Sequence, residues 1–95
     1  MKKSECLALL APIVADYRKR DYAFWLPHLE SGDPIVSYPV AENGTKCCVE
    51  ICVHWDDQPN GEIRVMFGID DGGLRSLMPV CKDFIIAPDG EIFGD

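Results

Sequence analysis

The sequence predicts an α+β fold, a helical start followed by an antiparallel sheet of four to six strands, and three observations carry that prediction. Leu7, Leu10, Val14 and Tyr17 recur at helical spacing near the start of the chain. From Ile35 onward the apolar period changes to two. Turn-forming clusters, Asn43-Gly44, Asn60-Gly61 and Pro88-Asp89-Gly90, then separate the alternating runs. The 95 residues, 47% of them hydrophobic, suit one domain over 1–95 and are too apolar for a disordered chain.

Ser4 is the expected N-cap of the first helix, with Glu5 well placed for the helix dipole. Leu9 and Ile13 widen its apolar stripe. Pro12 is expected to kink it, or to make 4–11 a separate first turn. Asp21 is the expected cap of a short second helix carrying Tyr22, Phe24, Trp25 and Leu26, with Pro27 and then Ser31-Gly32-Asp33-Pro34 ending the helical part. Ile35 to Val40 reads as a strand, and Pro39 favours an edge position.

Along 47–56, Cys47, Val49, Ile51, Val53 and Trp55 alternate with Cys48, Glu50, Cys52, His54 and Asp56. Ile63, Val65, Phe67 and Ile69 do the same against Arg64, Met66, Gly68 and Asp70. A loop over 57–61 then sets His54 opposite Arg64, Cys52 opposite Met66 and Ile51 opposite Phe67. A one-residue slip would put one apolar face in water, whereas a two-residue slip keeps the faces matched and stays open. Asp70-Asp71-Gly72-Gly73 is a turn, 74–81 is a strand or a short helix, and 84–93 forms a closing hairpin.

The compartment expected is the cytoplasm. The apolar run Leu7–Val14 contains Pro12, is followed by Asp16 and Arg18-Lys19-Arg20, and lacks a small-residue cleavage site. No stretch approaches the roughly 18 apolar residues of a membrane span. Five cysteines are an odd number, which a secreted disulfide framework avoids.

The residues that could carry chemistry are few. Cys48, Cys52 and His54, with Cys81 as a fourth, form the one candidate metal- or thiol-dependent set. Zinc requires four ligands converging on a tetrahedron. On a strand Cys52 and His54 stand about 6.5–7 Å apart, and the usual Cys-x-x-Cys knuckle is missing. The row Cys52, His54, Asp56 cannot readily place one imidazole between nucleophile and acid. A calcium loop from Asp56 fails because its twelfth position is Phe67 rather than Glu. No phosphate loop or nucleophile elbow occurs. The expectation is therefore a protein that is not an enzyme and takes no cofactor.

Charge is the remaining signal. The net charge of -7 is uneven: residues 1–20 hold five basic and two acidic residues, net +3, while 21–95 hold four and fourteen, net −10. Direct binding to nucleic acid or to an anionic membrane is thereby disfavoured. Asp56, Asp57, Asp70, Asp71, Asp89 and Glu91 fall in turns, where they can gather at one or both rims of the sheet and steer a basic partner. Tyr22 and Trp25 are the aromatic anchors such an interface would use if exposed. The function expected is binding and inhibition: masking a basic protein surface, such as that of a nuclease or nucleic-acid-binding protein. Immunity proteins of nuclease toxins and phage anti-defence proteins, anti-CRISPR proteins among them, share this size and acidity. The alternatives are the Cys/His module and a self-associating accessory domain, a homodimer.

Overall fold

Two helices lie on one face of a five-stranded antiparallel sheet. The computed structural model describes residues 1–72 and 79–94. The helices are α1 (Lys3–Tyr17) and α2 (Tyr22–Ser31). The strands are β1 (Ile35–Ser37), β2 (Cys48–Trp55), β3 (Ile63–Asp70), β4 (Val80–Ile86) and β5 (Ile92–Phe93), side by side in chain order.

Both helices run past their prolines. Pro12 sits inside α1 and Pro27 inside α2. Each proline deprives the carbonyl four residues earlier of its partner. Those carbonyls belong to Ala8 and Ala23, and all four residues are exposed, so water can take the place of the missing donors. Residues 4–11 are thus not a separate first turn, and α2 passes Pro27 to end at the expected Ser31-Gly32. The first cap also differs from expectation. Lys2 is the N-cap, and its N–H donates to Glu5 Oε1 at 2.9 Å, which leaves Ser4 in the first turn. Asp21 does cap α2, accepting from the Phe24 N–H at 2.9 Å, and Gly32 closes it at φ 73°.

The expected register holds throughout β2 and β3: Ile51 faces Phe67, Cys52 faces Met66, His54 faces Arg64 and Trp55 faces Ile63. The ladder continues into the loop, where the Asp56 N–H donates to the Glu62 carbonyl at 2.9 Å. The edge strand is shorter than expected. Pairing stops at Ser37, and Val40 makes only an isolated bridge to Lys46 around the Asn43-Gly44 turn. In the stretch 74–81, β4 begins at Val80, and residues 74–78 lie outside the described residues.

The core sits between the helices and the inner sheet face. Cys6, Leu10 and Val14 of α1 and Trp25 of α2 pack on Val49, Ile51, Ile63, Val65, Phe67, Ile69, Phe84 and Ile86, all buried. Rings of Tyr17, Phe24, Trp25, Phe67 and Phe84 form one aromatic cluster, with Phe24 edge-on to Trp25 at 4.9 Å between centroids. No helix among the described residues is long and apolar enough to cross a membrane.

Candidate functional site

The meander separates the acidic turns into two groups. Loops 57–61 and 87–91 lie at one end of the sheet, because Ile63 pairs with both Trp55 and Ile86. Asp70 and Asp71 lie at the other end, about 23 Å away along β3 at ~3.3 Å per residue. Of the two arrangements expected, one rim or both, the turns take the second and form two patches. Asp56, Asp57, Asp89 and Glu91 share the first.

Not all of these carboxylates are presented outward. Asp56 accepts from Arg64 at 2.8–2.9 Å, and Arg64 also pairs with Asp83. These hydrogen bonds, to Asp56 first and then Asp83, hold the Arg64 pKa above its ordinary value. Asp71 pairs with the N-terminal ammonium of Met1, and its side chain is only 8% exposed. That hydrogen bond raises the ammonium pKa, with burial opposing it. The carboxylates of Asp70 and Asp89 accept from the N–H groups of Gly72 and Glu91 within their own turns, at 3.0 and 2.9 Å. Among the described residues, Asp57, Asp89 and Glu91 are exposed and have no ion pair. By contrast, cations at the end of α1 are tied to the fold: Arg18 donates to the Gly94 carbonyl and lies over the Phe84 ring, and Arg20 lies over Phe24.

The two expected aromatic anchors belong to the interior. Trp25 is wholly buried, so the contact role conceived for it is corrected to core packing. Tyr22 is half-buried, and its hydroxyl donates to the Gly61 carbonyl at 2.7 Å, fastening α2 to the 57–61 loop. The exposed aromatics are Tyr38, at 60%, and Phe93, at 42%. Phe93 was detectable from strand parity, since it pairs with Ile85 on the face away from the helices. Tyr38 follows a short edge strand and carries no periodic signal.

Among the described residues, no helix packs on the second face of the sheet. It presents Cys48, Glu50, Cys52 and His54 from β2, Arg64, Met66, Gly68 and Asp70 from β3, and Cys81, Asp83 and Ile85 from β4. Val36 and Phe93 extend it at the two edges, both exposed. Cys48, Cys52 and His54 share this face as expected, but Glu50 stands between the two cysteines and Cys81 lies two strands away. Among the described residues, no three His, Cys, Asp or Glu side chains are placed to hold a metal ion. The alternative ligand set Cys48, Cys52, His54 and Cys81 is thus not assembled. Burial, then the nearby Asp70 and Glu50 carboxylates, pushes the Cys48 thiol pKa up, away from nucleophilic chemistry.

At the centre of this face lies a shallow groove of about 350 Å³ over Gly68, walled by Glu50, Cys52, Met66, Cys81 and Asp83. Comparison of the chain with family models, with curated proteins and with solved structures finds no match.

Proposed function

We propose that this is a small, acidic, non-enzymatic protein that acts in the cytoplasm by binding another protein and masking a basic surface. The reading places it with phage anti-defence proteins of the anti-CRISPR type and with immunity proteins of nuclease toxins. One observation carries it: Asp57, Asp89 and Glu91 stand together at one end of the sheet, exposed and without ion pairs among the described residues. Unpaired carboxylates grouped in this way raise the local concentration of a cationic partner and speed encounter. A nuclease or nucleic-acid-binding protein offers such a cationic surface, because it must meet phosphates. Carboxylates placed there would compete with the nucleic acid without any bond being made or broken.

The test is capture from the native host on immobilised protein, with the triple variant Asp57→Lys, Asp89→Lys, Glu91→Lys in parallel. The expected partner is basic, is retained at about 50 mM salt and is released at about 500 mM, where screening shortens to a few ångströms. Its nucleic-acid binding or cleavage should fall when the wild-type protein is added. A partner held equally well by the triple variant would overturn the reading.

A further inference from the structure

The groove over Gly68 points to how such a partner is gripped. Gly68 occupies the middle strand of the sheet, opposite Glu50 on β2 and Cys81 on β4. A Cβ there would meet nothing within 4 Å, and Gly68 is not among the glycines at positive φ. The fold itself therefore has no need of glycine at this position. Glycine inside a strand weakens it, and commonly marks a place where something approaches the backbone from outside.

The chemistry around the gap selects what approaches. Glu50 and Cys52 of β2 flank it on one side and Cys81 and Asp83 of β4 on the other, with Met66 beside Gly68 between them; Met66, Cys52 and Cys81 are polarizable and weakly polar. The open end is Glu50, which is exposed and has no ion pair among the described residues. Asp83, on the far wall, already holds Arg64. A lysine or arginine fits this combination, since its methylene stem packs on apolar surface while its head stays charged. We infer that the groove receives a basic side chain of the partner protein, the stem across Gly68 and Met66 and the cation on Glu50. The inference rests on the proposed function in taking the partner to be a basic protein. A second copy of this chain is the weaker occupant. The face carries Glu50, Asp56, Asp70 and Asp83 against Arg64, and two such faces repel.

The test is a two-dimensional amide NMR titration of the whole protein with a short acetylated peptide amide containing one arginine between leucines. Its citrulline counterpart keeps the shape and lacks the charge. Expected are shifts at Glu50, Cys52, Met66, Gly68 and Cys81, with affinity about tenfold lower for the citrulline peptide, as for loss of one charge-assisted hydrogen bond. Gly68→Trp fills the groove from a Cβ position that meets nothing within 4 Å, and Glu50→Gln removes the charge at an exposed site; each should lower affinity by a similar factor. Shifts confined to Asp57, Asp89 and Glu91 and insensitive to both variants would overturn the groove while leaving the proposed function intact. Absence of any shift would overturn it too. Concentration-dependent shifts on this face without peptide would assign it to a homodimer instead. Failure of the host capture would strike the function alone, since the peptide reports on the groove directly.

Discussion

The two faces of this sheet are built from the same strands and meet different demands. On the covered face Val49, Ile51, Ile63, Val65, Phe67, Ile69, Val80, Phe84 and Ile86 are buried, all aliphatic or aromatic, while Val53, Trp55 and Lys82 are half-buried. On the open face the intervening residues are thiols, carboxylates, Arg64, Met66 and a glycine. Burial of apolar area supplies most of the favourable free energy of folding, so stability is concentrated on one side. The other side is left free to vary in chemistry, and that is where a binding surface can be placed with little effect on the fold.

The largest effect that separates the faces is expected at Trp25. Trp25→Ala should destabilise by about 3–5 kcal/mol, the usual range for a buried large aromatic. That is a large share of the roughly 5–15 kcal/mol available to a domain. Met66→Ala, at a site 40% exposed, should stay within about 1 kcal/mol. Urea unfolding of both variants checks the contrast, and equal losses would mean that the open face is not open. Trp25→Phe refines the comparison. The indole Nε1 is buried with no hydrogen-bond partner among the described residues, so phenylalanine gives up volume but also removes an unsatisfied donor. Its loss should be well short of that for alanine.

Next in size is the cap that starts α2. Asp21→Ala removes the acceptor for the Phe24 N–H and should cost about 1 kcal/mol. The loss should appear in global unfolding, because α2 carries Trp25 into the core. A drop confined to local fraying, seen as faster exchange of the α2 amides at unchanged midpoint, would show that the covered face tolerates a loose helix.

The division of the strands into two faces was legible in the sequence because parity is a local property. Val49, Ile51, Val53 and Trp55 alternate with polar residues, which specifies the parity of the pairing, while the choice between registers two residues apart is settled only by the observed ladder. The end-to-end separation of Asp56 and Asp57 from Asp70 and Asp71 follows from that register once strand lengths are known. Core packing is the first reading for Trp25, with an anchor role only if exposed; its complete burial follows from how α2 crosses the sheet rather than from spacing within α2. The prolines are a related case: Pro12 and Pro27 break a helix only where the orphaned carbonyl is denied water, and exposure is a tertiary property. Gly68 stood in the alternation from the start, but only the absence of any neighbour around its Cβ marks the gap.

A smaller effect of opposite sign is expected on the open face. Gly68→Thr places a β-branched residue where nothing obstructs it. Removing the glycine and adding a strand former should stabilise the protein by about 0.5–1 kcal/mol. A destabilised variant would mean that the backbone at Gly68 is more constrained than its surroundings show. If the variant is both more stable and poorer in binding the arginine peptide, stability and recognition are opposed at this one residue, which is the contrast between the faces in miniature.

The finest distinction between the faces is chemical rather than energetic. All five cysteines are free thiols: Cys6 and Cys47 are buried, Cys48 and Cys52 half-buried, and Cys81 exposed. Burial, with Cys6 and Asp71 nearby, raises the Cys47 pKa, and burial with Asp70 and Glu50 raises that of Cys48. A raised thiol pKa means less thiolate at a given pH, and the thiolate is the species that alkylates. At pH 8, iodoacetamide should therefore modify Cys81 first and Cys48 more slowly, while Cys6 and Cys47 wait for unfolding. Raising the pH past 9 should speed Cys48 labelling, because a thiol whose pKa is held up gains its thiolate only there. Adding Glu50→Gln removes one of the carboxylates acting on Cys48 and should narrow the gap at pH 8. Mass spectrometry of timed aliquots reads all these rates at once. Rapid labelling of Cys47 in the folded protein would contradict its place in the core, and equal labelling of Cys48 and Cys81 at pH 8 would remove the acidic field assigned to the open face.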